Sequence, residues 1–132
     1  MRFSLLKKAA ADSSGKRAEN YVARYLQQEG LTIIASNYRS RRGEIDLIAR
    51  AGESLVFVEV RLRNHRQFAS GMESVDHRKQ QRLIATANAY LQENYGNNPP
   101  ACRFDVVSLA TNRDNGSQYD LEWLRDAFRP EL

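Results

Sequence analysis

Residues 43–63 read GEIDLIARAGESLVFVEVRLR, and the fold turns on how this stretch pairs with itself. Two strand-like runs, Glu44–Arg50 and Ser54–Leu62, flank Ala51-Gly52-Glu53, the pattern of a β-hairpin. Side chains alternate faces along a strand, so Glu44 and Asp46 share a face of the first run, and Phe57, Glu59 and Arg61 share one of the second. With Gly52-Glu53 as the loop, glycine takes the first central position, as a type II′ turn requires. That register sets Asp46 opposite Glu59 and Glu44 opposite Arg61. With Ala51-Gly52 as the loop, Glu44 faces Glu59 instead. Either register brings the polar faces together, whereas a one-residue slip sets Asp46 against Val58.

Like charges directly opposed on a sheet destabilise it. The converging acids therefore call for positive charge between them. Arg61 supplies part of it, and a divalent cation would do so better, since Mg²⁺ is held by one or two carboxylates, waters and phosphate oxygens. Val56-Phe57-Val58 is apolar on both faces, as in a strand buried on both sides. Glu59 thus stands where a core strand emerges.

Before the hairpin, a helical pattern begins at Ser14, with Ala18, Val22, Tyr25, Leu26 and Glu29 at steps of three and four and Gly30 as its stop. Glu19 lies beside that stripe, where it either aims at the sheet edge or sits as a helix-surface acid. Leu31–Tyr38 reads as a strand, followed by an Arg-rich connection. After the hairpin comes a basic loop, RNHRQFASGMES, in which Phe68 is read as a packing anchor. A second helix over Val75–Asn94 carries an inner stripe of Val75, Leu83, Thr86, Ala87, Tyr90 and Leu91. Phe104–Leu109 and Tyr119–Leu124 read as strands, with Ala127-Phe128 as a docked tail. The order α-β-β-β-α-β-β is that of an α/β protein with a mixed five-stranded sheet flanked by helices. Residues 1–12 read as a flexible leader and 13–132 as a single domain.

The composition, 42% hydrophobic over 132 residues, fits one globular core. The net charge of +4 is unevenly placed. Ten Lys/Arg and six Asp/Glu fall between Arg39 and Arg82, so the whole excess surrounds the acidic hairpin. A cationic rim around carboxylates suits a polyanion whose backbone must approach a metal. The sequence has neither the apolar core of a signal peptide nor a run long enough to span a bilayer. Cys102 is the only cysteine and has no disulfide or zinc partner; it reads as a small apolar strand residue. These features predict a cytoplasmic protein without membrane contact. Asp105 is assigned a structural pairing with Arg103, and Trp123 and Phe128 a place in the core. His65 and His77 lack a metal-ligand spacing.

An acid on the first helix, Asp46 on one strand and Glu59-Val60-Arg61 on the next resemble the PD-(D/E)XK nucleases of the restriction-endonuclease-like fold. The match is closer to the YraN-like family of small bacterial proteins. It rests on GKRAEN, NYRSRRGEIDLIA, LVFVEVRLR, KQQRL, RFDVVSL and the final AF, from Gly15 to Phe128. That family is also similar to archaeal Holliday-junction resolvases, which are homodimers that cut branched DNA. The resemblance implies a three-layer nuclease-like fold, nucleic-acid binding with DNA favoured, and Mg²⁺- or Mn²⁺-dependent phosphodiester hydrolysis. It carries over Asp46 and Glu59 as metal-binding acids, Glu19 as the helix acid and Arg61 at the catalytic lysine position. The mechanism built on it adds the Val60 carbonyl as a metal ligand and Glu44, which either extends the metal site through water or salt-bridges Arg61. Arg39, Arg41, Arg42, Arg63, Arg66 and Lys79 are the candidate phosphate-binding residues. Arg61 departs from the superfamily's lysine: it stays charged and cannot act as a base, though it can stabilise transition-state charge. Lys79, on the next helix, is a stand-in. The alternative reading is a non-catalytic binder of structured nucleic acid that retains the fold.

Overall fold

The computed structural model describes residues 13–64, 75–111 and 119–130. The expected leader, Arg66 and Phe68 lie outside the described residues. Helix α1 (Ser13–Gln28) is followed by β1 (Thr32–Ser40), β2 (Gly43–Ala51), β3 (Ser54–Arg63), α2 (His77–Tyr95), β4 (Cys102–Thr111) and β5 (Tyr119–Phe128). The strands form one sheet in chain order, antiparallel throughout except for the parallel pair β3–β4. This is the mixed five-stranded sheet expected. α2 supplies the crossover that a parallel pair requires.

The apolar triplet in β3 decides the layering. Val56 and Val58 bury against Ala18, Val22 and Leu26 of α1. Phe57, one residue out of phase, buries against Leu83, Ala87 and Tyr90 of α2. One helix therefore covers each face, giving three layers with β3 at the centre. Each fully buried side chain of this kind contributes roughly 1.5–3 kcal/mol. Among the described residues no helix is long and apolar enough to cross a membrane.

Local chemistry sets the boundaries. Gly30, at φ 96, ends α1 in a left-handed turn in which Leu31 N–H donates to the Leu26 carbonyl at 3.0 Å. Leu26 and Leu31 belong to the same core cluster, so the cap also closes an apolar contact. Asp76 caps α2, its carboxylate accepting from the Lys79 N–H at 2.9 Å.

Two expectations are corrected. Ala127-Phe128 is the end of β5 rather than a separate docked tail. The strand survives because a register shift opposite Phe104–Val106 and a left-handed Asp126 (φ 53) absorb the irregularity. Cys102 is exposed at the start of β4, because the inward positions only begin beyond it. Asp105 has the structural role expected, in a wider network: its carboxylate accepts from Arg103 Nε at 3.0 Å, Trp123 Nε1 at 2.9 Å and the Asp126 N–H at 2.9 Å.

Candidate functional site

The hairpin settles the open register. Ala51 pairs with Ser54 and Leu47 with Val58, leaving Gly52-Glu53 as the two-residue loop. Gly52 adopts φ 62 and Glu53 does not take a positive φ, in keeping with a type II′ turn. Continued one step, this register would oppose Asp46 and Glu59, and there the β2–β3 pairing stops. Beyond that point β2 stays with β1 as far as Ser40–Gly43, and β3 stays with β4 as far as Arg63–Ala110. The sheet forks at its centre, and the two acids stand at the mouth of the fork.

The fork is held open by side-chain chemistry. The Val60 N–H, a donor on the β2 side of β3, is accepted by Asp46 Oδ2 at 2.7 Å in place of a ladder carbonyl. The facing alternation of β2 also slips here: Ile45 and Ile48 both join the α2-side core, while Leu47 and Ala49 join the other. Burial, then a hydrogen bond to Glu59 and the negative charge of Glu59, push the Asp46 pKa up to about 8, against the lowering effect of the Val60 N–H. At neutral pH Asp46 therefore favours its protonated form, which can donate to Glu59.

Glu19 belongs to this group. It is half-buried on α1 and its charge acts on Asp46. Burial is the main cause of its own raised pKa, opposed by a hydrogen bond from the Asn37 side chain. Asn37 was not anticipated. It lies across from Asp46, between the β1–β2 pairs Ser36–Leu47 and Tyr38–Ile45, with φ 54. Asparagine tolerates this left-handed geometry better than most residues. A lone Asn within a strand-like run was the available signal. Asn37→Gly and Asn37→Ala both lose the bond to Glu19, so the alanine variant should fall below the glycine variant by about 1–2 kcal/mol of backbone strain. Urea denaturation of both variants checks this; equal midpoints would remove the strain argument.

On the opposite wall, Lys79 Nζ lies 2.5 Å from Glu59 Oε2. Gly43, Glu44, Asp46, Glu59, Lys79, Arg82 and Leu83 together line a cleft of about 260 Å³. Gly43 lets α2 approach: a Cβ there would lie 3.1 Å from Thr86 Oγ1, itself fixed by donating to the Arg82 carbonyl at 2.7 Å. Gly43→Ala should lose about 1–3 kcal/mol by overpacking, read as a lower melting temperature; an unchanged one would show that α2 yields freely.

The remaining expected residues divide. Glu44 is exposed and sits 3.6 Å from Arg39 across the β1–β2 pair. Arg41 and Arg42 are exposed at the tip joining β1 to β2. Arg61 is half-buried beyond Glu59 on β3. Arg63, at 8% exposure, is packed into the end of β3.

Among the described residues no three His, Cys, Asp or Glu side chains gather into a closed metal cluster. Two converging carboxylates with excess negative charge fit instead a hard cation that keeps waters and borrows ligands from a phosphate.

Sheet, helices and forked acidic cleft define a three-layer α/β protein consistent with the nuclease-like architecture. The chain belongs to the family described as "Uncharacterised protein family UPF0102", whose sequence model matches residues 18–109, in agreement with the YraN-like resemblance. A UPF0102 protein of Nitrosomonas europaea is 45% identical over 120 residues, covering 91% of this chain and 97% of that protein. One from Nitrosococcus oceani is 44% identical over 126 residues, covering 96% and 99%. A Pseudomonas fluorescens relative is 42% identical, covering 90% and 95%.

Proposed function

We propose that this protein is a nucleic-acid-binding endonuclease that hydrolyses phosphodiester bonds, favouring branched DNA, with Mg²⁺ or Mn²⁺ as cofactor. The observation that carries the reading is the fork: two carboxylates at the mouth of a split sheet, facing a lysine and an arginine across one cleft. Asp46 and Glu59, with the Val60 carbonyl, would hold the ion. Bound there, it would polarise the phosphate and make an attached water more acidic.

The chain's own groups do the rest. Arg82 faces the cleft and would meet a phosphate entering it. Arg39, Arg41 and Arg42 extend positive charge along the β1–β2 edge, where flanking phosphates would set register without reading sequence. Arg61 compensates charge and, being always protonated, leaves water activation to other groups. Glu19, held by Asn37, adds negative charge behind Asp46.

The test is cleavage of a labelled four-way junction, with linear duplex and single strands alongside, in Mg²⁺ and in Mn²⁺. Asp46→Asn is the control. Metal-dependent cutting absent from the control is the expected result. Binding without cutting in either protein would leave a recognition module, the reading that the Arg61 substitution favours. Failure to bind or cut any of these at low salt would overturn the proposal.

A further inference from the structure

Lys79 occupies an unfavourable place for a cation. It lies in the first turn of α2, three residues after the Asp76 cap, where the helix dipole repels positive charge. No acid accompanies it in that turn. What holds it is Glu59: Nζ lies 2.5 Å from Oε2 of a carboxylate whose side chain is only 7% exposed, while the lysine side chain is 46% exposed. The ammonium therefore sits on a flexible stem, with one face on the acid and the other in the cleft.

We infer that Lys79 is an exchangeable counter-ion: it neutralises Glu59 when no metal is bound and moves to a phosphate when a divalent cation takes that carboxylate. This positioning role rests on the proposed nuclease reading. An ammonium and a divalent ion crowded onto one buried carboxylate repel each other, so loading the ion must displace the lysine. Without nucleic acid the displaced ammonium gains only water; with a phosphate in the cleft it gains a new anionic partner. Metal and nucleic acid should then bind cooperatively through one side chain, each raising affinity for the other by the same factor.

The test uses the full chain and Mn²⁺, titrated by calorimetry against wild type, Lys79→Met and Lys79→Arg, alone and with a duplex oligonucleotide under conditions too brief for cutting. Lys79→Met removes the competing charge, so it should bind Mn²⁺ alone about fivefold more tightly than wild type, equivalent to ~1 kcal/mol. The duplex should raise Mn²⁺ affinity in wild type and do so less in Lys79→Met, with Lys79→Arg restoring part of the coupling. Thermal unfolding gives a second readout: the metal-free Lys79→Met protein should melt below wild type and gain more from Mn²⁺. Equal or weaker Mn²⁺ binding by Lys79→Met would overturn the exchange and leave the nuclease reading standing, as would equal enhancement by duplex in both proteins. No Mn²⁺ binding by any variant, with or without duplex, would overturn both. Binding by Lys79→Met alone would support the exchange in its strongest form.

Discussion

Asp46→Asn is expected to raise the melting temperature of the metal-free protein at pH 8 and to abolish metal-dependent cleavage. The side chain keeps its shape: the amide oxygen can still accept from the Val60 N–H, and the amide nitrogen can donate to Glu59, where wild type needs a proton on Asp46. The sign follows from linkage. Asp46 has a folded pKa of about 8, above the roughly 3.9 of an unfolded aspartate. The folded state holds the proton more tightly, so the stabilisation it brings is fully present below pH ~4 and is lost as pH rises toward 8. Asparagine has no proton to lose. Discounting for partial exposure, the gain at pH 8 should be on the order of 1–2 kcal/mol, or roughly 3–8 °C. Cleavage should fall by at least ~10²-fold as the carboxylate ligand disappears. Urea denaturation in chelator at pH 5, 6, 7 and 8 decides the stability half. A wild type whose stability is flat across that range, or an Asn variant less stable at pH 8, would sink it.

The largest loss of stability is expected from Asp105→Ala, a residue that does not line the cleft. The Asp105 side chain is fully buried and gathers donors from two strands: Arg103 on β4, then the Trp123 indole and the Asp126 N–H on β5. Alanine would strand a partly buried guanidinium and orphan two N–H groups at once. Breaking a buried pair from one side costs about 3–5 kcal/mol, a large share of the 5–15 kcal/mol available to a typical domain. Trp123→Phe, which removes one donor and keeps most of the ring, should lose only about 1–1.5 kcal/mol. Chemical denaturation of the two variants is the measurement; an Asp105→Ala loss no greater than that of Trp123→Phe would mean water replaces the carboxylate. The network also holds the left-handed Asp126 that lets β5 run on to Phe128, so the variant should fray that edge first.

Much of the architecture was legible in the residues. The doubly apolar Val56-Phe57-Val58 announced a central strand with a helix on each face, because period-2 alternation and burial on both sides are local properties. Gly52 narrowed the loop to Gly52-Glu53 or Ala51-Gly52, and the structure chose the first, with the glycine at the position of a II′ turn that demands a positive φ. That acids of the first strand meet Glu59 was readable in either register, because a hairpin's register follows from its turn; that Asp46 rather than Glu44 is the one was not. The approach of Glu19 was readable only as an option, since helical spacing gives a face but not the distance to a sheet edge.

What the sequence by itself determined is therefore the sheet, its covering helices and the meeting of two carboxylates, all consequences of short-range periodicity and turn chemistry. Tertiary structure alone decided that the sheet would fork at those acids, that Asn37 would hold Glu19, that Lys79 rather than a strand residue would neutralise Glu59, and that Arg63 would be packed away. Each of those depends on contacts between elements far apart in the chain. Their distances are set by how helices seat on a twisted sheet, and residue spacing carries no record of that.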